Sequence, residues 1–212
     1  MIVVKVGGSL FDHPGLGRGL RAFLHSRISP KGGPCVVTPP QAGVPGAAAG
    51  GMHLSPEVLL VPGGGAVADV VRLFDRIHQL GEETAHWLAL RSLSVTAEFL
   101  RQLLAREHTQ TEEESRLIHV VDVLAFASAD ETRPGRLPHC WQVTTDSLAA
   151  RIAWVYGAQK LLLLKSIDIP PATPWLQAAR QGWVDAYFPQ IAAQLPCPIE
   201  TINFRSWLEH SA

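Results

Sequence analysis

A lysine stands inside an apolar run near the start of the chain, directly before two glycines. The run Ile2-Val3-Val4-Lys5-Val6 breaks at Gly7-Gly8-Ser9, which predicts a buried strand entering a tight turn. A buried unpaired ammonium group is costly, so an anion is its obvious partner, and glycines let backbone N–H groups approach a phosphate closely. For this stretch alone, a lysine that snorkels from a strand end beside an ordinary turn explains the residues equally well.

A second apolar run ends in the same way. Val58-Leu59-Leu60-Val61-Pro62 leads into Gly63-Gly64-Gly65. The apolar residues that follow recur at helical spacing: Val67, Val70, Val71, Phe74 and Ile77. Two strand–glycine–helix units predict two turns that face phosphate. Neither turn has the Gly-Lys-Ser/Thr of a Walker motif or the G-x-G-x-x-G spacing of a dinucleotide fold.

The third chemical feature is an aspartate at a predicted helix start, followed by a second lysine at a strand end. Thr144-Thr145-Asp146 precedes a helix that closes at Gly157, and the buried strand at 160–164 ends in Lys165-Ser166-Ile167-Asp168. Ligands of open α/β sheets bind at the carboxyl ends of strands. Two lysines on strands and one aspartate at a helix start suit phosphoryl transfer. An ordinary helix cap is nevertheless a sufficient explanation for Thr145 or Asp146 alone.

Alternating strands and helices are predicted to carry these residues. Further strands are expected at 117–121 and 199–202. Helices are expected at about 16–25, 65–81 with Gly81 as the C′ residue, 84–107, from 174 and at 187–195. A stretch rich in Gly, Pro and Ala at about 30–56, with a short strand at 35–38, predicts a mobile loop. A tolerated insertion is favoured there over a substrate lid, because long insertions cost little entropy.

Composition restricts the class of protein. The 212 residues, 47% of them hydrophobic, predict one domain over 1–212 with a large core. A net charge of −1 offers no broad attraction to nucleic acid or to a membrane surface, so neither partner is expected. The odd number of cysteines, Cys35, Cys140 and Cys197, without a C-x-x-C pair predicts reduced thiols and no zinc site. A soluble cytoplasmic protein is expected, since neither a signal peptide nor a membrane span is recognisable.

With these residues in place, the chain resembles the amino acid kinase family, which includes acetylglutamate, carbamate, uridylate and isopentenyl phosphate kinases. The resemblance covers nearly the whole chain. It rests on four segments in the family's order: Val4-Lys5-Val6-Gly7-Gly8-Ser9, Val61-Pro62-Gly63-Gly64-Gly65, Thr144-Thr145-Asp146-Ser147-Leu148-Ala149-Ala150, and 160–168. Within the family, the short chain and its segment 141–147 look most like the aminomethylfuran-methyl phosphate kinases of methanofuran synthesis.

The resemblance implies an α/β fold, a three-layer αβα sandwich around an open, mainly parallel sheet. Lys5 would stabilise the transferring phosphoryl group, Asp146 would orient the lysines, and Lys165 would reach the leaving phosphate. The two turns would bind phosphates through Gly7, Gly8, Ser9, Gly63, Gly64 and Gly65. Lys165, Ser166 and Asp168 stand at the family's nucleotide loop. Here Ile169-Pro170 replaces the usual Gly-Val, and the lysine comes one position earlier than in uridylate kinases.

The implied activity is ATP-dependent phosphorylation of a small anionic acceptor, with Mg²⁺. The acceptor is a phosphate monoester that becomes a diphosphate, or a carboxylate that becomes an acyl phosphate. Such acceptors are nucleophilic without a general base, in agreement with the lack of a recognisable His–Asp or Cys–His dyad. Candidates for the acceptor pocket are Thr144, Thr145, Trp141, His86, Asp185 and Phe188, each of which also suits an ordinary packing or surface position.

Other interpretations stay open at this point. A non-catalytic nucleotide or metabolite sensor of the same fold is one, supported by Ile169-Pro170 and the loop at 30–56. An α/β domain without a ligand is another, but it leaves the two lysines on strands unexplained. A homodimer or higher homo-oligomer is expected.

Overall fold

One parallel sheet organises the chain in the computed structural model, which describes residues 1–27, 56–106 and 117–210. Its strands are β1 (Ile2–Val6), β2 (Val58–Pro62), β3 (Ile118–Val120), β4 (Leu161–Lys165) and β5 (Ile199–Asn203). The strand order is β3-β2-β1-β4-β5, and every neighbouring pair is parallel. β1 is therefore central, and the carboxyl ends of all five strands meet at one edge.

Helices cover both faces of the sheet. They are α1 (Leu16–Arg27), α2 (Gly65–His78), α3 (Glu82–Arg106), α4 (Val123–Asp130), α5 (Thr145–Val155), α6 (Trp175–Arg180), α7 (Phe188–Ala192) and α8 (Phe204–His210). Alternate residues of β1 divide between two apolar clusters: Val3 packs on the side of α5 and α7, whereas Val4 and Val6 pack on the side of α1 and α8. The predicted α/β fold with an open parallel sheet between helices is confirmed.

Several helix boundaries differ from those predicted. α2 ends at His78, and Gln79 rather than Gly81 takes the left-handed position directly after the helix, with φ of 52°; Gly81 also has a positive φ, of 84°. α3 then begins at Glu82, two residues before the predicted start. α4 was not predicted; Asp122 caps it by accepting a hydrogen bond from Ala125 N at 3.0 Å. The loop predicted at about 30–56 lies outside the described residues, apart from residue 56.

Most of the apolar residues that recur along α2 are not buried. Only Val71 of this helix is buried. The exposed apolar side chains of α2 are Val70, Leu73, Phe74 and Ile77.

No helix within the described ranges is long and apolar enough to cross a membrane. The expected homo-oligomer stays a prediction.

The two glycine turns are in direct contact. They follow β1 and β2, which are paired so that Val6 lies opposite Pro62. A Cβ atom on Gly8 would lie 2.2 Å from Gly65 N, and one on Gly63 would lie 2.3 Å from Gly8 N. No side chain fits between two backbones this close, so glycine is required at these positions by the fold itself.

We predict that Gly8→Ala lowers the free energy of unfolding by about 1–3 kcal/mol or more, because its methyl group meets rigid backbone. Gly17→Ala is the matched control, since a Cβ there meets Leu103 only at an ordinary 3.5 Å and a helical Gly→Ala change is usually stabilising. Urea denaturation of both variants measures the difference. Equal stability of Gly8→Ala and the unmodified chain would show that the turns separate easily.

Candidate active site

Two lysines and one aspartate meet at the carboxyl edge of the sheet. Lys5 Nζ lies 2.8 Å from Asp146 Oδ1, and Lys165 Nζ donates a hydrogen bond to Asp146 Oδ2 at 2.6 Å. The three residues are only 5%, 4% and 9% exposed, in the order Lys5, Asp146, Lys165. We call them the Lys–Asp–Lys triad. The structure thus brings together the three residues that the sequence nominated for catalysis.

Strand alternation explains why the lysines share a face. Lys5 is two residues after Val3, and Lys165 is two residues after Leu163, so each follows a residue of the apolar cluster beneath α5. Lys5 lies opposite Leu163 in the strand register, so Lys165 lies two residues farther toward the carboxyl edge on the adjacent strand. α5 packs across β1, and Asp146 lies in its first turn.

The charges in the triad are unequal, and burial makes them interact strongly. Burial alone would raise the pKa of Asp146, but the two ammonium groups outweigh it and lower that pKa to about 2. Burial, followed by repulsion from Lys5, lowers the pKa of Lys165 to about 8, against the attraction of Asp146 and Asp185. At neutral pH two ammonium groups therefore face a single carboxylate, and an anion is the ligand that would balance them.

The first glycine turn is tied to the residue after β4. Ser9 Oγ and Ser166 Oγ form a hydrogen bond of 2.8 Å, and Arg205 of α8 donates to Ser9 O at 2.5 Å. Gly7 N–H donates to Leu164 O at 2.8 Å. This last bond argues against the predicted role of Gly7 as a phosphate donor, because its N–H already has a partner in the backbone.

A cavity of about 220 Å³ opens beside the turns. Its wall includes turn residues from both sides: Gly8, Ser9, Gly64 and Gly65. Four of the predicted acceptor residues also line it: His86, Trp141, Thr144 and Thr145. Thr145 directly precedes Asp146 in the chain, although none of the three triad residues is among those that line the cavity. Apolar side chains form much of the remaining wall, among them Leu90, Leu93 and Val143.

Sequence reasoning missed two charged residues of this wall. Asp69 and Arg72 lie one turn apart on α2 and both line the cavity. The Arg72 guanidinium carbon stands 4.9 Å from the centre of the Trp141 ring, and Trp141 Nε1 donates to Asp75 Oδ2 at 2.7 Å. The polar residues of α2 at three-residue spacing, 69, 72 and 75, were the available signal.

His86 is half-buried and lines the cavity as a neutral group. Its ring stacks on that of His139 at 4.1 Å between centres. Burial, and then the charge of His139, lower the pKa of His86 to about 4. Burial would lower the pKa of His139, but the hydrogen bonds that its ring donates to Glu83 and Glu131 raise it. His86 is therefore not an ordinary surface residue, because it forms part of the cavity wall.

The other nominated residues lie elsewhere. Asp185 is not among the residues that line the cavity, and its carboxylate accepts hydrogen bonds from the starts of α5 and α7. Phe188 is fully buried, 5.0 Å from the Trp175 ring in an edge contact, so it is a core residue and not an acceptor contact. Asp168 is exposed three residues beyond β4.

In the described ranges, no group of three or more His, Cys, Asp or Glu side chains is placed to hold a metal ion.

We predict that Asp146→Asn lowers stability by about 3 kcal/mol or more at pH 7, because it leaves two buried ammonium groups without a counter-charge. Lys165 then sheds its proton at a lower pH than in the unmodified chain, whose folded-state pKa there is about 8. The unfolded chain keeps this proton to higher pH, so the stability deficit shrinks as the pH rises toward 8.

The matched control for this pH dependence is Asp130→Asn. This change breaks a buried ion pair in which Arg151 of α5 donates two hydrogen bonds to Asp130, at 2.7 and 3.0 Å. Arginine does not deprotonate, so the stability deficit of Asp130→Asn stays constant over that pH range. Thermal denaturation at several pH values compares the two variants. A pH-independent deficit for Asp146→Asn would contradict the proposed electrostatic coupling to Lys165.

Solved structures of UMP kinases are similar to this chain over nearly its whole length. Uridylate kinase from Archaeoglobus fulgidus has a TM-score of 0.57 at 14% identity, covering 99% of this chain and 96% of that chain. UMP kinase from Bacillus anthracis has a TM-score of 0.56 at 13% identity, with 96% and 86% coverage. UMP kinase from Ureaplasma parvum has a TM-score of 0.52 at 16% identity, with 95% and 88% coverage. No protein-family model and no curated protein sequence matches the chain. At these identities the similarity establishes the fold alone, and that fold is the amino acid kinase fold of the UMP kinases.

Proposed function

We propose that this protein is an ATP-dependent kinase that transfers the γ-phosphoryl group to a small anionic acceptor. The observation that carries the proposal is the Lys–Asp–Lys triad, in which a buried site keeps more positive than negative charge at the ligand-binding edge of the sheet. Buried unbalanced charge is destabilising, so its presence beside two glycine turns and a cavity suits an anionic ligand.

The chemistry follows from where charge develops during the reaction. Phosphoryl transfer spreads negative charge over the equatorial oxygens of the moving group, and preorganised cations stabilise it. Lys5 on the central strand contacts that group, and Lys165, beside the residue tied to the first turn, contacts the leaving phosphate. Asp146 holds both ammonium groups in place. The bond from the γ-phosphorus to the β–γ bridging oxygen breaks as the acceptor oxygen attacks, which yields ADP.

The acceptor occupies the cavity beside the turns. Arg72 and Asp69 give it one cation and one anion on α2, and Trp141 offers a flat apolar face. An acceptor with a phosphate or carboxylate group needs no general base, because its attacking oxygen is already ionised. A phosphate monoester gives a diphosphate and a carboxylate gives an acyl phosphate.

Mg²⁺ would reach the site with the nucleotide. Mg²⁺ in kinases is usually held by substrate phosphates with only one or two carboxylates. Each oxygen of Asp146 lies close to a lysine ammonium group, at 2.8 and 2.6 Å, and within the described residues no carboxylate cluster is available. The bound ion would neutralise phosphate charge that the triad does not reach, while the chain's own residues position the reacting oxygens.

The test is a screen for phosphoryl transfer. Purified full-length chain is incubated with Mg²⁺, ATP and single acceptors, namely small phosphate monoesters, carboxylates, UMP and aminomethylfuran-methyl phosphate, and ³¹P NMR follows ADP and product. The last acceptor represents the subgroup that the sequence most resembles. Acceptor-dependent ADP formation with a new phosphorus resonance is expected for one of them.

A non-catalytic nucleotide or metabolite sensor is the second candidate. Two observations favour it. Ile169-Pro170 stands at the predicted nucleotide loop, and the Gly7 N–H is already hydrogen-bonded to Leu164 O. A sensor would bind ATP in a titration and show no acceptor-dependent ADP in the screen. Turnover with any acceptor excludes it.

We predict that Lys5→Met lowers kcat by ~100-fold or more, because one preorganised charge at the transferring group is lost. The fold is expected to survive, since Asp146 keeps Lys165 as a partner. Lys160→Met is the matched control: Lys160 precedes the neighbouring strand β4 at its amino end, where it pairs with Glu200 at 3.0 Å. Steady-state kinetics of both variants decide the matter, and similar losses in the two would remove Lys5 from the reaction.

We predict a basic limb in the pH profile of kcat/KM, which reports the free enzyme and falls as the pH rises through about 8. Lys165 carries its charge below that pH and loses it above, whereas Asp146, with a pKa of about 2, stays ionised throughout. Lys165→Arg removes the limb, because arginine stays protonated. If the remaining activity of Lys165→Arg still falls at the same pH, the titrating group is not Lys165.

A further inference from the structure

Asp185 makes an unusually complete set of hydrogen bonds for a half-buried carboxylate. Oδ2 accepts from Thr144 N at 3.0 Å, Thr144 Oγ1 at 2.9 Å and Ser147 N at 2.9 Å. Oδ1 accepts from Ser147 Oγ at 2.6 Å and Phe188 N at 2.8 Å. The residue lies between α6 and α7, about forty positions after the helix that it contacts.

These bonds supply a cap that α5 lacks in its own sequence. The first N–H groups of a helix have no partner inside it, and a side chain at the N-cap position usually accepts from them. Thr144 occupies that position in α5 but makes no such bond, and its hydroxyl donates to Asp185 instead. The helix start is therefore fixed from a distant loop.

The capped residues flank the central member of the triad. Thr144 and Ser147 stand on either side of Thr145-Asp146 along the chain, so Asp185 fixes the backbone before and after the aspartate. Asp146 must reach Lys5 on one strand and Lys165 on the next, at 2.8 and 2.6 Å. A small displacement of the first turn of α5 would lengthen both contacts.

We propose that Asp185 is the positioning residue of the phosphoryl-transfer site, holding the first turn of α5 so that Asp146 sets both lysines. This inference rests on the proposed kinase function. Asp185 does not contact the reacting groups; it acts through Thr144 and Ser147, and its negative charge also favours the protonated form of Lys165. The charged groups that act on Lys165 are thus Lys5 from β1, Asp146 from α5 and Asp185 from the loop before α7.

Two substitutions separate geometry from charge. Asp185→Ala removes every bond to the helix start. Asp185→Asn keeps one carbonyl oxygen for the donors of Thr144 and Ser147 while removing the charge. Asp130→Asn is the control, because it breaks a buried carboxylate contact to Arg151, which lies beyond the first turn of α5.

Asp185→Ala is expected to lower kcat by ~10-fold or more with less than ~3-fold change in the KM for ATP, because misplaced groups slow the reaction more than they weaken binding. Asp185→Asn retains more activity, but its basic limb moves to lower pH. Asp130→Asn lowers the melting temperature without changing kcat at a temperature where it is folded. Equal kcat losses in Asp130→Asn and Asp185→Ala would overturn the proposal.

A second measurement needs no substrate. In isotope-labelled full-length chain, NMR follows the titration of the Lys165 ammonium group and the exchange rates of the Thr144 and Ser147 amides. Asp185→Asn is expected to lower the pH of the Lys165 titration, and Asp185→Ala to speed amide exchange at both residues. If neither changes, Asp185 does not position the site. If both change in a chain that transfers no phosphoryl group, positioning of the triad stands and the kinase proposal fails.

Discussion

The carboxylate of Asp146, held between two buried ammonium groups, is the contact on which the rest of the site depends. Each of the three charges loses hydration on folding, and only their close pairing at 2.8 and 2.6 Å compensates. The pairing is incomplete by one charge, so the site tolerates a cost that a purely structural core would avoid. Positions of this kind are typical of functional sites, where stability is sacrificed for a prepared electrostatic environment.

The scaffold makes this arrangement possible through simple geometry. Alternation along parallel strands puts Lys5 and Lys165 on one face, and the strand register offsets them along the edge. Asp146 in the first turn of α5 also faces the positive end of the helix dipole, which favours its ionised form. Touching glycine turns and the Ser9–Ser166 bond close the floor beside the triad. Residues of both turns and the start of α5 border the cavity.

Local patterns were enough to predict some parts of this molecule and not others. The lysine in β1, the glycines after β1 and β2, and the aspartate at the start of α5 are visible because burial and turn chemistry leave a signature within a few residues. The partner of each group depends on tertiary contacts. That Gly7 N–H is committed to Leu164, or that Asp185 reaches back to α5, follows from the sheet order and the loop path.

Helix α2 shows what hydrophobic spacing leaves open. Its apolar residues recur at helical spacing, and periodicity alone predicts a buried face. In the structure most of these side chains point away from the sheet, with Phe74 48% and Ile77 59% exposed, while the polar residues Asp69 and Arg72 reach the cavity. Periodicity identifies the helix correctly but does not determine which of its faces meets the core.

The most direct test of the central claim is a crystal structure of the full-length chain with Mg²⁺ and a non-hydrolysable ATP analogue. We predict that an oxygen of the γ-phosphate lies within about 3.2 Å of Lys5 Nζ and an oxygen of the β-phosphate within about 3.2 Å of Lys165 Nζ, with Asp146 still between the two lysines. An analogue bound with its γ-phosphate away from the triad, or the triad closed off by side chains with the nucleotide elsewhere, would contradict the account.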